Sequence, residues 1–433
     1  MLIRRPGMNK FIEYRREFHH FPEQGWDEVR TTSRIYEILT DMGYGCLIGL
    51  EVVDEATIDD MMRTPEEIRA NMDRAISQGA KPEIVEMTKG FPGVIATFDT
   101  GRPGPVTAFR FDIDCLPGKE PHKEGFRPYD EGYISCNEGC VHACGHDAHT
   151  AMGLGIAEAL LSKRDRFKGK VKLIFQPSEE VYHGAESVVA KGHLDDVDHF
   201  ICMHVALSAE GRPLGSHTMC CGCKDFLSDR QIDVTFHGYG AHPCGAAQEG
   251  RDAMLAACSA VLNLRTIADH ELGLTRVNVG IIRGGTVVNS IPDECFISLE
   301  YRGETPEISE YVERRVFEVL DGAAKMHGCT YDCYKWGLYP ASKSDDAMME
   351  IIERAAHKVP WFEKVYYEGS IGGSDDAAAM MNAVKEHGGI TTYLGIGTDT
   401  TQAVHNDEFD LDEECIPAAI DMCMYALEEI HGM

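Results

Sequence analysis

Apolar residues set the rhythm of the chain from its start. Phe11, Tyr14, Phe18 and Phe21 recur at three- and four-residue steps, which predicts a helix over residues 8–42, interrupted at Pro22 and ended by Gly43-Tyr44-Gly45. A polar, methionine-rich helical stretch follows at 56–78. Short apolar runs then predict strands at 93–98, 106–112, 171–175 and 199–203, with helices at 149–162 and 184–191 between them. Strands alternating with helices imply a doubly wound α/β sheet. The strand at 106–112 runs into Asp112-Ile113-Asp114, so carboxylates stand at a strand's C-terminal end, the edge where open α/β sheets bind ligands.

Between residues 226 and 334 the rhythm changes to strand 230–236, helix 250–267, strands 276–283 and 294–301, helix 306–326 and strand 329–336. This β-α-β-β-α-β order is that of a ferredoxin-like unit. Alternation resumes with helices at 345–357, 375–387 and 412–430 and a strand at 390–396. The simplest architecture is one discontinuous α/β domain with a doubly wound mixed sheet, residues 1–225 and 335–433. A smaller ferredoxin-like domain, residues 226–334, is inserted in it.

Composition narrows the class. With 41 Lys and Arg against 71 Asp and Glu, the formal charge is −30, which repels phosphate backbones and argues against nucleic acid or anionic membrane as partner. No stretch approaches the ~20 apolar residues that span a bilayer. Met1-Leu2-Ile3-Arg4-Arg5-Pro6-Gly7 has basic residues without an apolar run behind them, unlike a signal peptide, so a cytoplasmic location is expected. Sixteen cysteines are then expected to be free thiols, some of them carrying chemistry.

The densest chemical cluster is Cys140-Val141-His142-Ala143-Cys144-Gly145-His146-Asp147-Ala148-His149, at the start of a helix. A thiolate and an imidazole two residues apart in a glycine turn can point at one metal ion, and a helix N-terminus favours the ionised thiol. The other reading is a buried turn with hydrogen-bonded histidines. Gln176-Pro177-Ser178-Glu179-Glu180 follows the strand at 171–175; of two adjacent carboxylates at a strand end, one can bind metal while the other acts as general base. A Glu pair is otherwise a solvated surface feature. His204 and His405 also follow predicted strands, at 199–203 and 390–396, and singly each reads as structural. Together these residues form a constellation at one sheet edge.

The Cys144–His149 motif, the Gln-Pro-Ser-Glu-Glu segment and Asn289-Ser290-Ile291-Pro292-Asp293 resemble peptidase family M20, in its amidohydrolase branch of hippurate and auxin-conjugate hydrolases. Several further stretches resemble the subgroup of p-aminobenzoyl-glutamate hydrolase A subunits. They include Gly250-Arg251-Asp252-Ala253, Arg302-Gly303-Glu304, Gly372-Gly373-Ser374-Asp375-Asp376 and Gly397-Thr398-Asp399 ahead of His405. The resemblance implies a metal-dependent amidohydrolase acting on N-acyl, notably aroyl, amino acids. It implies two divalent ions per subunit, manganese or zinc, held by Cys144, His146, Glu180, His204 and His405, with Cys144 as the bridge. Glu179 is implied as general base, His242 as oxyanion stabiliser and Asp114 as the residue orienting the site. Asn289 and Arg302 are implied near the substrate, Arg302 being suited to grip a carboxylate. The inserted domain is implied as a lid and homodimerisation element. A second, homologous subunit is the alternative partner, in which case the chain is a metal-bearing component inactive or weakly active alone.

Two positions depart from the resemblance: Cys115, where many relatives have alanine, and Pro243 after His242. Two features are read as structural: Cys220-Cys221-Gly222-Cys223 has no second cysteine pair at zinc spacing, and the acidic run 407–414 combines a helix start with a solvated face. Gly372-Gly373-Ser374-Asp375-Asp376 lacks the Lys of a phosphate loop and reads as a glycine turn into a helix lining the substrate cleft, with Ser374 or the Gly373 backbone facing substrate. An iron–sulfur or thiol-redox protein is the remaining, different class.

Overall fold

The computed structural model describes residues 9–58 and 63–432. Residues 1–8, on which the leader reading rests, and 59–62, inside the expected helix at 56–78, lie outside the described residues. Contacts divide the chain into two compact units, Met1–Asp225 with Lys343–Met433, and Phe226–Ser342.

The larger unit is built on an eight-stranded mixed sheet. Its order is Cys46–Ile48, Val94–Asp99, Lys170–Gln176, Val106–Asp112, His199–Val205, Ile390–Ile396, Thr218–Cys220 and Lys364–Tyr366. The four strands at its centre are mutually parallel. Parallel strands are covered on both faces and so read as nearly continuous apolar runs; Val106–Asp112 is buried at every residue after the first. Because these strands are parallel, their C-terminal ends share one edge. Asp112 lies opposite Gln176, and His204 opposite Gly395. That register brings distant motifs together. Helix His146–Ser162 is buried almost all round, as its nearly uniform apolarity requires, and packs beneath this edge.

The interruption expected at Pro22 is present, between helices Lys10–His20 and Val29–Asp41. Other local expectations are corrected. The helix expected at 149 begins at His146. Strands Cys46–Ile48, Thr218–Cys220 and Lys364–Tyr366 were not expected: with three residues each they carry no periodicity and exist through pairing with their neighbours.

In the inserted unit the elements run Ser228–His237, Ala253–Leu264, Thr275–Gly284, Glu294–Gly303, Pro306–His327 and Thr330–Tyr339. The four strands form an antiparallel sheet, with Glu294–Gly303 and Ser228–His237 central and Thr275–Gly284 and Thr330–Tyr339 at the edges. Glu294–Gly303 alternates buried and less buried residues, because the helices cover one face only. The unit extends to Ser342 rather than 334, since its last strand continues to Tyr339.

Candidate functional site

Gly145 decides the geometry of the Cys-Gly-His turn. It caps helix His146–Ser162 in the left-handed region, φ 88°, and a Cβ there would lie 2.3 Å from the Val205 side chain. The turn therefore packs against the end of strand His199–Val205. Cys144 Sγ comes within 3.5 Å of both His204 Nε2 and His405 Nε2. His405 is itself left-handed, φ 65°, and its N–H donates to Ala143 O at 2.7 Å, which fastens its loop to the cysteine turn. Glu180 Oε1 completes the cluster, 3.6 Å from His405 Nε2 and 3.9 Å from His146 Nε2.

These spacings suit metal ligation. Donors held at zinc distances in a tetrahedral array stand about 3.4–3.6 Å apart. His146 Nε2 and Glu180 Oε1 are buried without a hydrogen-bond partner, an expensive arrangement that a cation would satisfy. The imidazoles are also oriented for it. His146 Nδ1 donates toward Asp114, 3.1 Å from both its backbone O and its Oδ1, and His204 Nδ1 donates to Val205 O at 2.6 Å. Each therefore points Nε2 inward. His149 differs: Nδ1 is bound to Asp112 Oδ1 at 2.5 Å and Nε2 accepts the Val205 N–H at 3.0 Å, so both of its nitrogens serve the scaffold.

The electrostatics agree with a cation site. Burial and the nearby Glu180 and Glu179 push the Cys144 thiol well up, so the helix N-terminus alone does not ionise it, contrary to the expectation from sequence. Burial keeps His204 and His405 low, hence neutral and able to ligate. Burial would also lower His146, but Asp112, Asp114 and Glu180 outweigh it and raise it to about 10. Burial raises Glu180 to about 7. Raised values mean that these groups hold protons in a bare site, and a bound cation would favour their ionised, ligating forms.

Glu179 and Glu180 are consecutive but face different groups. Glu180 belongs with Cys144 and His146, whereas Glu179 lies with Asp375 and Asp376. Burial, then Asp375 and Glu180, raise Glu179 well above the usual carboxylate range, which favours a group that takes up a proton. Beside it lies a network that sequence reasoning missed. The fully buried Arg110 bonds Asp112 (2.6 Å), Gln176 (2.7 Å) and Asp376 (2.9 Å), and the Tyr393 hydroxyl bonds Asp375. The signal was present: an arginine inside the apolar strand Val-Thr-Ala-Phe-Arg-Phe-Asp needs buried carboxylate partners.

Other residues singled out from sequence fall elsewhere. Gly373 and Ser374 lie in the turn leading to helix Ala377–Glu386. In the inserted unit, His242 is exposed, and its Nδ1 accepts the N–H groups of Cys244 and Gly245 at 3.2 and 3.1 Å. Pro243 thus sits in a tight turn that leaves the ring proton on Nε2. Asn289 is exposed between two strands, and Arg302 Nη2 meets Glu300 at 2.9 Å and Asp229 at 3.2 Å. All sixteen cysteines are free. Cys220, Cys221 and Cys223 are buried and belong to no metal-competent group among the described residues. The acidic run at 407–414 is not simply a solvated face: Asp410 and Glu413 are buried against Arg15, Arg16 and Arg127. Among the described residues no helix is long and apolar enough to cross a membrane.

Known proteins are similar to this chain along nearly its whole length. An indole-3-acetyl-aspartic acid hydrolase from Enterobacter agglomerans is 41% identical over 428 residues, covering 96% of each chain. The A subunit of a p-aminobenzoyl-glutamate hydrolase from Escherichia coli is 38% identical over 416 residues, covering 95% of this chain and 94% of the relative. Among solved structures, a dinuclear metal-binding M20 peptidase from Bacillus subtilis superposes with a TM-score of 0.70 at 25% identity, covering 97% of this chain and 98% of that one. The family model described as peptidase family M20/M25/M40 matches residues 108–429. The chain belongs to that family and is a metal-dependent hydrolase of amide bonds.

Proposed function

We propose that the chain hydrolyses N-acyl amino acids in which an aroyl or similar group is joined to a carboxylate-bearing residue, p-aminobenzoyl-glutamate being the leading substrate. The observation that carries this reading is the placement of two neighbouring carboxylates in different groups, Glu180 with Cys144 and His146 and Glu179 with Asp375 and Asp376. Relatives at 41% and 38% identity are named for an acyl-aspartate and an aroyl-glutamate, which supports the substrate class.

In this reading Cys144, His146, Glu180, His204 and His405 would together hold the divalent ions, manganese or zinc. Such ions supply Lewis acidity toward the amide carbonyl and lower the pKa of water. Glu179 takes the proton of the attacking water as its oxygen bonds to the carbonyl carbon. It then delivers that proton to the amide nitrogen as the C–N bond breaks, releasing acid and amine. His242 donates from Nε2 to the developing oxyanion, and Arg302 grips the substrate carboxylate. Asn289, Gly373 and Ser374 contribute polar contacts to substrate. The inserted unit serves as lid and homodimerisation element.

The purified chain, supplied with manganese, is expected to turn over p-aminobenzoyl-glutamate and indole-3-acetyl-aspartate in a panel of N-acyl amino acids. Glu179→Ala is expected to keep its metal and lose turnover by at least ~10³-fold. Near-normal activity of that variant would remove the base assignment. A second reading, a metal-bearing component that needs a homologous partner, is favoured by the Escherichia coli relative, which is named as one subunit of its hydrolase. No turnover by the metal-loaded chain alone, restored by adding such a partner, would select it.

A further inference from the structure

The loop that carries Glu179 and Glu180, residues 177–184, is held in a conformation its sequence does not favour. Ser178, Tyr182 and His183 all have positive φ, 55°, 71° and 65°, although none is glycine. Its two ends are pinched together: a Cβ on Gly184 would fall 1.9 Å from Pro177 O, so only glycine fits. A conformation of this kind persists when surrounding groups over-determine it.

One carboxylate supplies that restraint from both sides. Gln176 Nε2, just before the loop, donates to Asp376 Oδ1 and Oδ2, both at 2.9 Å. The Ala185 N–H, just after the loop, donates to Asp376 Oδ2 at 2.9 Å. Arg110 holds the clamp, with Nη2 on Asp376 Oδ1 at 2.9 Å and Nε on Gln176 Oε1 at 2.7 Å. The same guanidinium reaches Asp112, whose other oxygen fixes His149 and, through it, the Val205 backbone beside His204. Every member of this chain of bonds is buried. The segment 372–376, which sequence alone suggests as a substrate-lining turn, is thus anchored through Asp376 to the loop of the two glutamates.

We propose that Asp376, held by Arg110, is the positioning residue that closes the 177–184 loop and so aims Glu179 at substrate and Glu180 at metal. The proposal rests on the roles given above to those two glutamates. In this role Asp376 acts through the backbone between Gln176 and Ala185, to which its carboxylate is bonded.

Asp376→Asn retains size and one acceptor but loses the charge that Arg110 holds and one of the two accepting oxygens. Measured per metal-loaded molecule, its kcat is expected to fall about 100-fold with KM within threefold, and its Mn2+ dissociation constant to rise about tenfold. Amide exchange in the 177–185 peptide is expected to quicken, while exchange in Val106–Asp112 stays as in the parent. The same substitution in a Glu179→Ala background is expected to weaken Mn2+ binding and quicken exchange equally. The clamp is thereby tested without turnover, and a failure of the base assignment shows separately. Mn2+ affinity and loop exchange both within threefold of the parent would overturn the proposal. If Asp376→Asn does not fold, Gln176→Met, which removes one arm and leaves the Arg110–Asp376 pair, is held to the same measurements and the same limits.

Discussion

Asp114 Oδ2 accepts the backbone N–H of Glu180 at 2.9 Å, tying the end of one central strand to the loop that follows its neighbour. The other oxygen of the same carboxylate orients His146, so one side chain sets two candidate ligands at once. Asp114→Asn would keep the shape and lose the charge. It is expected to reduce metal affinity about 10- to 100-fold, the usual range for residues that orient ligands, with secondary structure unchanged. Metal titration followed by calorimetry checks this; an unaltered dissociation constant would assign Asp114 to packing alone.

Cys144 is the common neighbour of His204 and His405, each 3.5 Å from its sulfur. A hydroxyl in its place is a far weaker ligand. Cys144→Ser is expected to bring bound metal below two ions per chain, with activity falling in step with occupancy. Elemental analysis beside kcat separates the two: full occupancy with lost turnover would give the thiol a role other than ligation.

Arg302 already contacts Glu300 and Asp229 and keeps its side chain 27% exposed. A bidentate grip on a carboxylate needs the planar fork that lysine lacks. Arg302→Lys is therefore expected to raise KM for p-aminobenzoyl-glutamate about tenfold or more, with kcat little changed. The fully amidated substrate should show no difference between parent and variant. Equal losses on both would place Arg302 in the fold of its own unit.

His19 is buried between Glu120 and Asp147, 2.7 Å from each, with Arg15 beside it. Burial and Arg15 work against its charge, but the two carboxylates prevail and raise it to about 9 from 6.5. A folded-state value above the unfolded one stabilises fully below 6.5, and that contribution fades as pH rises through 9. Loss on the order of 2 kcal/mol is expected on the alkaline side. His19→Gln removes the titration, so its Tm should change less than the parent's between pH 6.5 and 9.5. Parallel pH profiles of Tm would exclude the buried imidazolium.

Some of this was legible without coordinates because it depends on local pattern. The strands Val106–Asp112 and Ile390–Ile396 coincide with the apolar runs that predict them, since buried parallel strands leave little room for polar residues. The Cys144–His149 cluster stood out because such residue types rarely crowd together without a purpose. The acidic run at 407–414 misled for the opposite reason. Local composition reads as solvated, and only the fold brings Arg15, Arg16 and Arg127 to it from more than 280 positions earlier.

The pattern of this chain by itself determined the class of fold, the order of its elements and which residue types stand at strand ends as candidate ligands, because periodicity and side-chain chemistry are local properties. Tertiary structure decided which of those residues meet. Parallel register carried Asp114, Glu180, His204 and His405 to one edge, a left-handed glycine turned Cys144 toward them, and a buried arginine with Asp376 bent the glutamate loop. Each depends on groups far apart in sequence meeting in a low-dielectric interior, where an unpaired charge is too costly to remain and therefore dictates its neighbours.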